Sequence, residues 1–178
     1  MYDLHGIIFA YSASPELGEL VRRRTAASIP FCGRYRLIDF ALSSMMNAGI
    51  RDVGVIMQRD YQSLLDHIGS GKNWDMSRRY GGLRMLPPFG LPEYHRGNYT
   101  GTIEALNAVA PYVRSIPQKH IALLLGSVCA NIDLTAAMRQ HVKTGAEITA
   151  ICSAGELTGS NHHYVIGDDG MVKQLLFD

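Results

Sequence analysis

The sequence predicts an α/β protein with a doubly wound, mostly parallel sheet, and two kinds of observation support this class. Helical periodicity appears between the apolar segments of the chain, and this alternation places helices on the faces of a parallel sheet. The apolar segments themselves are short and almost continuously hydrophobic, which is typical of strands covered on both faces. These predicted strands are Gly6–Ala10, Val53–Met57, Ile121–Leu125 and Glu147–Cys152.

The predicted helices have recognisable start and stop signals. Gly49 ends the first helix, and Gly145 ends the last, because glycine readily adopts the left-handed conformation after a helix. Asp60 and Asp133 precede the second and the last, where an aspartate side chain can accept a hydrogen bond from a free backbone N–H. The helices are Arg36–Ala48, Tyr61–Ile68, Thr102–Val113 and Leu134–Lys143.

Two regions depart from this alternation. Ser70–Thr100 is rich in glycine, proline, arginine and aromatic residues. A connection of that length is usually functional, so we predict a site-covering loop with short strands of its own; a plain surface excursion is the alternative. Near the end, His163–Ile166 and Met171–Phe177 alternate like two strands joined by an Asp-Gly turn. Because the sequence stops in such a segment, we expect residues 1–178 to be an incomplete domain.

The composition excludes several functional classes. The chain has 178 residues, 47% hydrophobic and 19% charged, with a net charge of +1, so no bulk electrostatic attraction to nucleic acid or membrane is expected.

Cys32, Cys129 and Cys152 are too far apart for a disulfide framework or a metal knuckle. Adjacent residues on a strand point to opposite faces, so His162 and His163 make a poor chelate. We therefore expect no metal site. Because the cysteines form no disulfide framework, we also expect a cytoplasmic location.

Specific motifs narrow the class further. The longest is PFCGRYRLIDFALSSMMNAGIRDVGVIMQ, Pro30–Gln58. It is followed by YTGTIEAL at Tyr99–Leu106, LLLGSVCANIDL at Leu123–Leu134 and HVKTGAEITAIC at His141–Cys152. With these motifs the chain resembles the sugar-nucleotide pyrophosphorylase family, in particular ADP-glucose pyrophosphorylase, also called glucose-1-phosphate adenylyltransferase. Within that family it is most similar to the non-catalytic GlgD-type subunit.

This resemblance implies a Rossmann-like nucleotidyltransferase domain, which in the family precedes a β-helix domain absent from this sequence. The family reaction joins ATP and glucose 1-phosphate to give ADP-glucose and pyrophosphate, in glycogen biosynthesis. Holding two polyanions in line requires a glycine-lined turn, cationic side chains and Mg²⁺ held by carboxylates.

The chain lacks several of the groups that the family uses. The family turn Gly-Gly-x-Gly-x-x-Arg falls on Tyr11, Ser12, Ser14 and, for the arginine, Glu16, so an acid replaces a base. The phosphate-binding lysine corresponds to Ala26, next to Ala27 in place of a proline. The metal-holding aspartate corresponds to Ser127, a neutral residue that binds Mg²⁺ weakly. The resemblance therefore implies no catalytic residues and no firm cofactor in this chain, with Mg²⁺ bound by a catalytic partner.

Other family positions are retained. Gln58 lies where the family has a glutamine near the nucleotide base, and Gly101 and Thr102 open a helix suited to phosphate or base contact; a plain N-cap is the alternative. The family's anionic effector site corresponds to basic residues that would suit a multiply charged phosphate; a solvated arginine face, with Arg36 paired to Asp39, is the alternative. These residues are Arg24, Arg34, Arg36 and His67.

The sequence thus predicts a regulatory, catalytically impaired subunit of glucose-1-phosphate adenylyltransferase. Its expected partners are the catalytic ADP-glucose pyrophosphorylase subunit and a sugar phosphate, sulfate, phosphate or nucleotide effector. One alternative is a weakly active adenylyltransferase in which Arg22, Arg23 or Lys72 replaces the lost cations. The other is a stand-alone sensor of sugar phosphates or nucleotides.

Overall fold

The computed structural model describes residues 3–11, 15–78, 81–87, 99, 101–153 and 162–177, and it divides into two compact units, Met1–Gly145 and Ala146–Asp178. The strands of the first unit are β1 (Leu4–Phe9), β2 (Pro30–Phe31), β3 (Tyr35–Arg36), β4 (Val53–Ile56), β5 (Leu83–Leu86) and β6 (His120–Leu125). Its α-helices are α1 (Ile38–Asn47), α2 (Gln62–Ile68), α3 (Thr102–Ala108), α4 (Ala110–Arg114) and α5 (Leu134–Thr144).

A four-stranded parallel sheet in the order β5-β4-β1-β6 forms the centre of the first unit, which confirms the predicted fold class. Strand β1 lies between β4 and β6, with Ile8 opposite both Val55 and Leu124. The chain runs from β1 to β4 and β5 on one side and then crosses back to β6 on the other. In open α/β sheets, ligands bind at such a reversal, outside the carboxyl ends of the strands.

Alternate residues of β1 enter two separate hydrophobic clusters. Ile8 packs with α1, α2 and α5 in what we call the α1-side cluster. Ile7 and Phe9 pack with residues of α3 and α4 in the α3-side cluster. The expectation that the strands are covered on both faces is wrong for β6, because Leu123 and Leu125 on its α3 side are each 49% exposed.

The helix signals are confirmed in part. The side chain of Asp133 accepts a hydrogen bond from the backbone N–H of Ala136, and Gly145 ends α5 with a φ of 63°. The single helix predicted over Thr102–Val113 is instead split at Val109. Pro111 explains the break, because a proline in a helix removes one backbone hydrogen bond and collides with the preceding turn.

Two local predictions are wrong. Asp60 does not cap α2: its φ is 59°, and Tyr61 occupies the N-cap position without a side-chain hydrogen bond. Glu147–Cys152 forms no strand, and Ile148 is 89% exposed. A strand needs a hydrogen-bonded neighbour, and none of the described strands pairs with this segment.

In the predicted loop Ser70–Thr100, Leu83–Leu86 forms β5, whereas residues 79–80, 88–98 and 100 lie outside the described residues.

The second unit contains an antiparallel hairpin, β7 (His162–Ile166) and β8 (Val172–Phe177), as predicted. The backbone N–H of Gly170 donates to the carbonyl of Gly167 at 2.8 Å, which closes the turn between the strands. The ammonium of Lys173 pairs with the carboxylate of Asp169 at 2.6 Å. No helix among the residues described in either unit is long and apolar enough to cross a membrane.

Candidate functional site

The carboxyl ends of β1, β4 and β6 meet at one edge of the sheet. The N–H of Ala10 donates to the carbonyl of Ile56, and the N–H of Gly126 donates to the carbonyl of Phe9, both at 2.9 Å. The residues that follow the three strands therefore lie along the same edge, which we call the crevice. They are Tyr11, Gln58 and Ser127.

Tyr11 extends across the crevice to the segment before α3. Its hydroxyl donates a hydrogen bond to the carbonyl of Gly101 at 3.3 Å. Its ring meets the ring of Tyr99 edge-on, with centroids 5.1 Å apart, and that of Phe9 at 5.9 Å. Burial, then Tyr99 and Glu104, raise the pKa of Tyr11 to about 12. The hydroxyl therefore keeps its proton at neutral pH and remains a hydrogen-bond donor.

The predicted nucleotide-binding remnants lie beside Tyr11. The side-chain amide of Gln58 donates to the carbonyl of Tyr99 at 3.1 Å, so it already has a partner within the protein. Gly101 is the N-cap of α3 and Thr102 is its first residue; both are exposed, and Gly101 has no side chain with which to cap the helix. The structure thus brings Gln58 and Gly101 together through Tyr99 and Tyr11.

The crevice is uncharged at position 26, where the resemblance implies a phosphate-binding lysine. Ala26 is fully buried in the short 3₁₀ turn Ala26–Ser28, so no cation comes from this position. Ala27 packs against Gly126 at the edge of the sheet. The approach is close: a Cβ atom added to Gly126 would lie 3.2 Å from the Cβ of Ala27. Glu16 is exposed in the segment Pro15–Val21, and the predicted turn positions Ser12 and Ser14 lie outside the described residues.

The donor set at this edge does not fit Mg²⁺. Hard divalent cations prefer carboxylate oxygens, but Ser127, where the resemblance implies a metal-holding aspartate, is a half-buried neutral residue. Within the described parts of the chain, no group of three or more histidine, cysteine, aspartate or glutamate side chains could hold a metal ion. The described side chains of this crevice therefore do not provide for a metal-assisted step.

Two of the predicted effector residues form a polar cluster on the α1 side. Nε2 of His67 lies 2.6 Å from Oδ1 of Asp39, and the backbone N–H of Arg36 donates to Oδ2 of Asp39 at 3.0 Å. The guanidinium of Arg36 donates to the carbonyls of Ser28, at 3.3 Å, and Ser63, at 2.6 Å. We call these five residues the Asp39 cluster. Arg36 and His67 therefore tie α1, α2 and the 3₁₀ turn together.

The other two predicted effector residues lie elsewhere. Arg24 lines a pocket of about 360 Å³, to which Arg22 and Arg23 also contribute. Arg22 pairs with Glu19 at 3.1 Å, whereas the described residues offer Arg23 and Arg24 no hydrogen-bond or ion-pair partner. Arg34 is exposed in the turn between β2 and β3. Among the described residues, no hydrogen bond joins Arg24 or Arg34 to the Asp39 cluster.

Sequence reasoning did not identify the contacts that Tyr99 and Asp39 make in the folded chain. Tyr99 is buried, with 8% of its surface exposed, and it contacts both Tyr11 and Gln58. The only available signal was an aromatic residue two positions before a predicted helix N-cap, which is too common to identify a site. Asp39 was considered as a partner of Arg36, but its pairing with His67, 28 positions away, has no local sequence signal.

A comparison with protein families agrees with this architecture. Residues 6–174 match the nucleotidyl transferase family. The chain belongs to the nucleotidyl transferase family. The match includes the crevice, the arginine pocket and the Asp39 cluster, so all three lie within this family's domain.

Among curated proteins, this nucleotidyl transferase chain is 37% identical over 150 residues to a glycogen biosynthesis protein GlgD from Geobacillus stearothermophilus, covering 84% of this chain and 43% of that protein. It is 32% identical over 151 residues to the GlgD protein of Bacillus subtilis, covering 85% and 43%. A glucose-1-phosphate adenylyltransferase from Halalkalibacterium halodurans is 33% identical over 147 residues, covering 83% and 38%. The chain thus spans less than half the length of these relatives.

Proposed function

We propose that this chain is the nucleotidyltransferase-like part of a regulatory, catalytically impaired subunit of a glucose-1-phosphate adenylyltransferase that serves glycogen biosynthesis. The observation that carries the proposal is the neutral character of the crevice: Ala26 is buried, and Ser127 is uncharged, at the two positions where the resemblance implies a lysine and a metal-holding aspartate. Phosphoryl transfer depends on positioning and on neutralising phosphate charge. A crevice without that cation and metal ligand supports a role other than catalysis.

The arginine pocket supports the regulatory part of the proposal. Arg23 and Arg24 present guanidinium groups that form no ion pair in the described structure, and the one acid among the residues given for this pocket, Glu19, pairs with Arg22. Guanidinium groups bind phosphate or sulfate through paired hydrogen bonds. An anionic effector in this pocket changes the partner's activity only if it binds the active and inactive states of the assembly with different affinities.

The test measures ADP-glucose formation from ATP and glucose 1-phosphate. The full-length protein is assayed alone, the adenylyltransferase of the same organism is assayed alone, and the two are then mixed. We expect no turnover by this protein alone and, in the mixture, a changed turnover number or effector response. Robust turnover by the protein alone, abolished by substituting Gln58, would refute the proposal. An unchanged partner would favour the stand-alone sensor.

A further inference from the structure

The contacts across the crevice occupy the groups that a nucleotide would need. The carbonyl of Gly101 accepts from Tyr11, and the amide of Gln58 donates to the carbonyl of Tyr99. Both hydrogen bonds join a strand end, of β1 or β4, to the segment that leads into α3. A ligand that approaches the Gly101 carbonyl or the Tyr99 ring from the Tyr11 side must therefore displace the ring of Tyr11.

The crevice also differs in character between its two sides. On one side, next to the Gln58 amide, the ring of Tyr11 covers the largely buried rings of Phe9 and Tyr99, with centroids 5.9 Å and 5.1 Å away, so these two rings would face a ligand only after Tyr11 moves. Aromatic faces and amide groups are suited to binding a base. Its phosphate side has a buried alanine at position 26 and a neutral serine at position 127, which contribute little to binding a polyphosphate.

We infer that Tyr11 is a built-in plug of a nucleoside pocket, so that the crevice binds the base and ribose of a nucleotide only when Tyr11 moves away. This inference rests on the proposed function and specifies how the same crevice is regulated. A ligand that binds only the open form has its affinity reduced by the fraction of molecules that are open. Removing the ring and its hydrogen bond removes that reduction.

The test compares the full-length wild-type protein with Tyr11→Ala, and uses Tyr35→Ala as a matched control because Tyr35 is a 51% exposed tyrosine on β3. Adenosine and ATP are titrated in the presence of EDTA by calorimetry. One hydrogen bond and two aromatic contacts hold Tyr11 in place, and their loss corresponds to a gain in ligand affinity of about 10-fold or more. We expect Tyr11→Ala to bind both probes at least about 10-fold more tightly than the wild type, with no gain in Tyr35→Ala.

Several outcomes would overturn the inference. Equal or weaker binding by a folded Tyr11→Ala would mean that Tyr11 does not block the pocket, and weaker binding would make it a stacking platform. A gain restricted to ATP would reject the nucleoside assignment. If Tyr11→Ala fails to fold, Tyr11→Phe decides: it loses the hydroxyl alone and should gain about 3-fold, and no gain refutes the plug. Because no partner enzyme is present, these results are independent of the turnover and mixing assay.

Discussion

Nε2 of His67 lies 2.6 Å from Oδ1 of Asp39, and the two side chains are only 18% and 10% exposed. The same carboxylate accepts the backbone N–H of Arg36, so three segments of the chain depend on it. Residues that resemble an effector site therefore also hold the fold together. Substitution of these residues will change stability as well as any effector response.

The first prediction separates these two roles. His67→Ala leaves a nearly buried carboxylate with one fewer partner, so we expect the free energy of unfolding to fall by about 2 kcal/mol. Arg24→Ala removes a pocket arginine and should change stability by less than about 0.5 kcal/mol. Chemical denaturation measures both values, and titration with sulfate should show weaker binding in Arg24→Ala. Equal stability of His67→Ala and the wild type would contradict the structural role.

The second prediction concerns pH. Burial lowers the pKa of His5 below its ordinary 6.5, an effect that outweighs the opposing influence of the Asp52 carboxylate and hydrogen bonding to Gln118; Arg84 also lowers it. The folded protein thus binds this proton less readily than the unfolded chain. The contribution of neutral His5 to the free energy of unfolding should be fully present above pH 6.5. It should decrease as the pH falls from 6.5 towards the lowered pKa.

Denaturation at several pH values checks this dependence. The contribution of one proton has a limiting slope of about 1.4 kcal/mol per pH unit. His5→Gln keeps a group that can bond the Tyr112 hydroxyl, which lies 2.8 Å from Nε2 of His5, but it does not titrate. We expect a flatter profile for His5→Gln than for the wild type. A wild-type profile without slope below pH 6.5 would be inconsistent with the burial effect.

The third prediction compares two glycines. A Cβ atom on Gly54, in the centre of β4, would lie 2.6 Å from Cε1 of Tyr112. Gly54→Ala should therefore cost about 1–3 kcal/mol through overpacking. Gly101 has an extended backbone with φ −163°, and apart from its chain neighbours no described atom lies within 4 Å of a methyl group added there, so Gly101→Ala should cost less than about 0.5 kcal/mol. Thermal melts of the two variants decide, and a similar loss in both would rule out the steric explanation.

The fourth prediction concerns two aspartates that precede helices. Oδ1 of Asp133 accepts from the N–H of Ala136 at 2.9 Å, so Asp133→Ala should lower stability by about 1 kcal/mol. Asp60 has a left-handed backbone, with φ 59°, and makes no cap. Asp60→Gly should therefore raise stability by about 0.5 kcal/mol. Urea titrations would contradict this assignment if Asp60→Gly proved the more damaging change.

The sheet could be predicted because the sequence signals that specify its strands act over short stretches of the chain. The apolar runs at β1, β4 and β6 and the capping residues of α5 each act within a few positions, so sequence pattern and structure agree there. β5 was harder to predict, since Leu83–Leu86 is short and lies in a segment rich in glycine and proline. The segment Glu147–Cys152 has the composition of a strand but no described neighbour, and composition alone cannot supply a hydrogen-bonding partner.

The candidate site was only partly predictable for a related reason. Position-by-position resemblance identified Ala26, Gln58 and Ser127, which depend on residue type alone. The contact of Tyr11 with Gly101 joins residues 90 positions apart, and that of His67 with Asp39 joins residues 28 apart. Such pairings follow from the way strands and helices are brought together, so they appear only in the folded chain.

The alternation of β1 has a consequence for how the two regions influence each other. Tyr11 belongs to the α3-side cluster, whereas Trp74, whose ring contacts that of His67 with centroids 6.2 Å apart, belongs to the α1-side cluster. The two sets of side chains face opposite surfaces of the sheet, with the backbone of β1 between them. Substitutions at Tyr11 and His67 should therefore be additive in a double-mutant cycle, within about 0.5 kcal/mol.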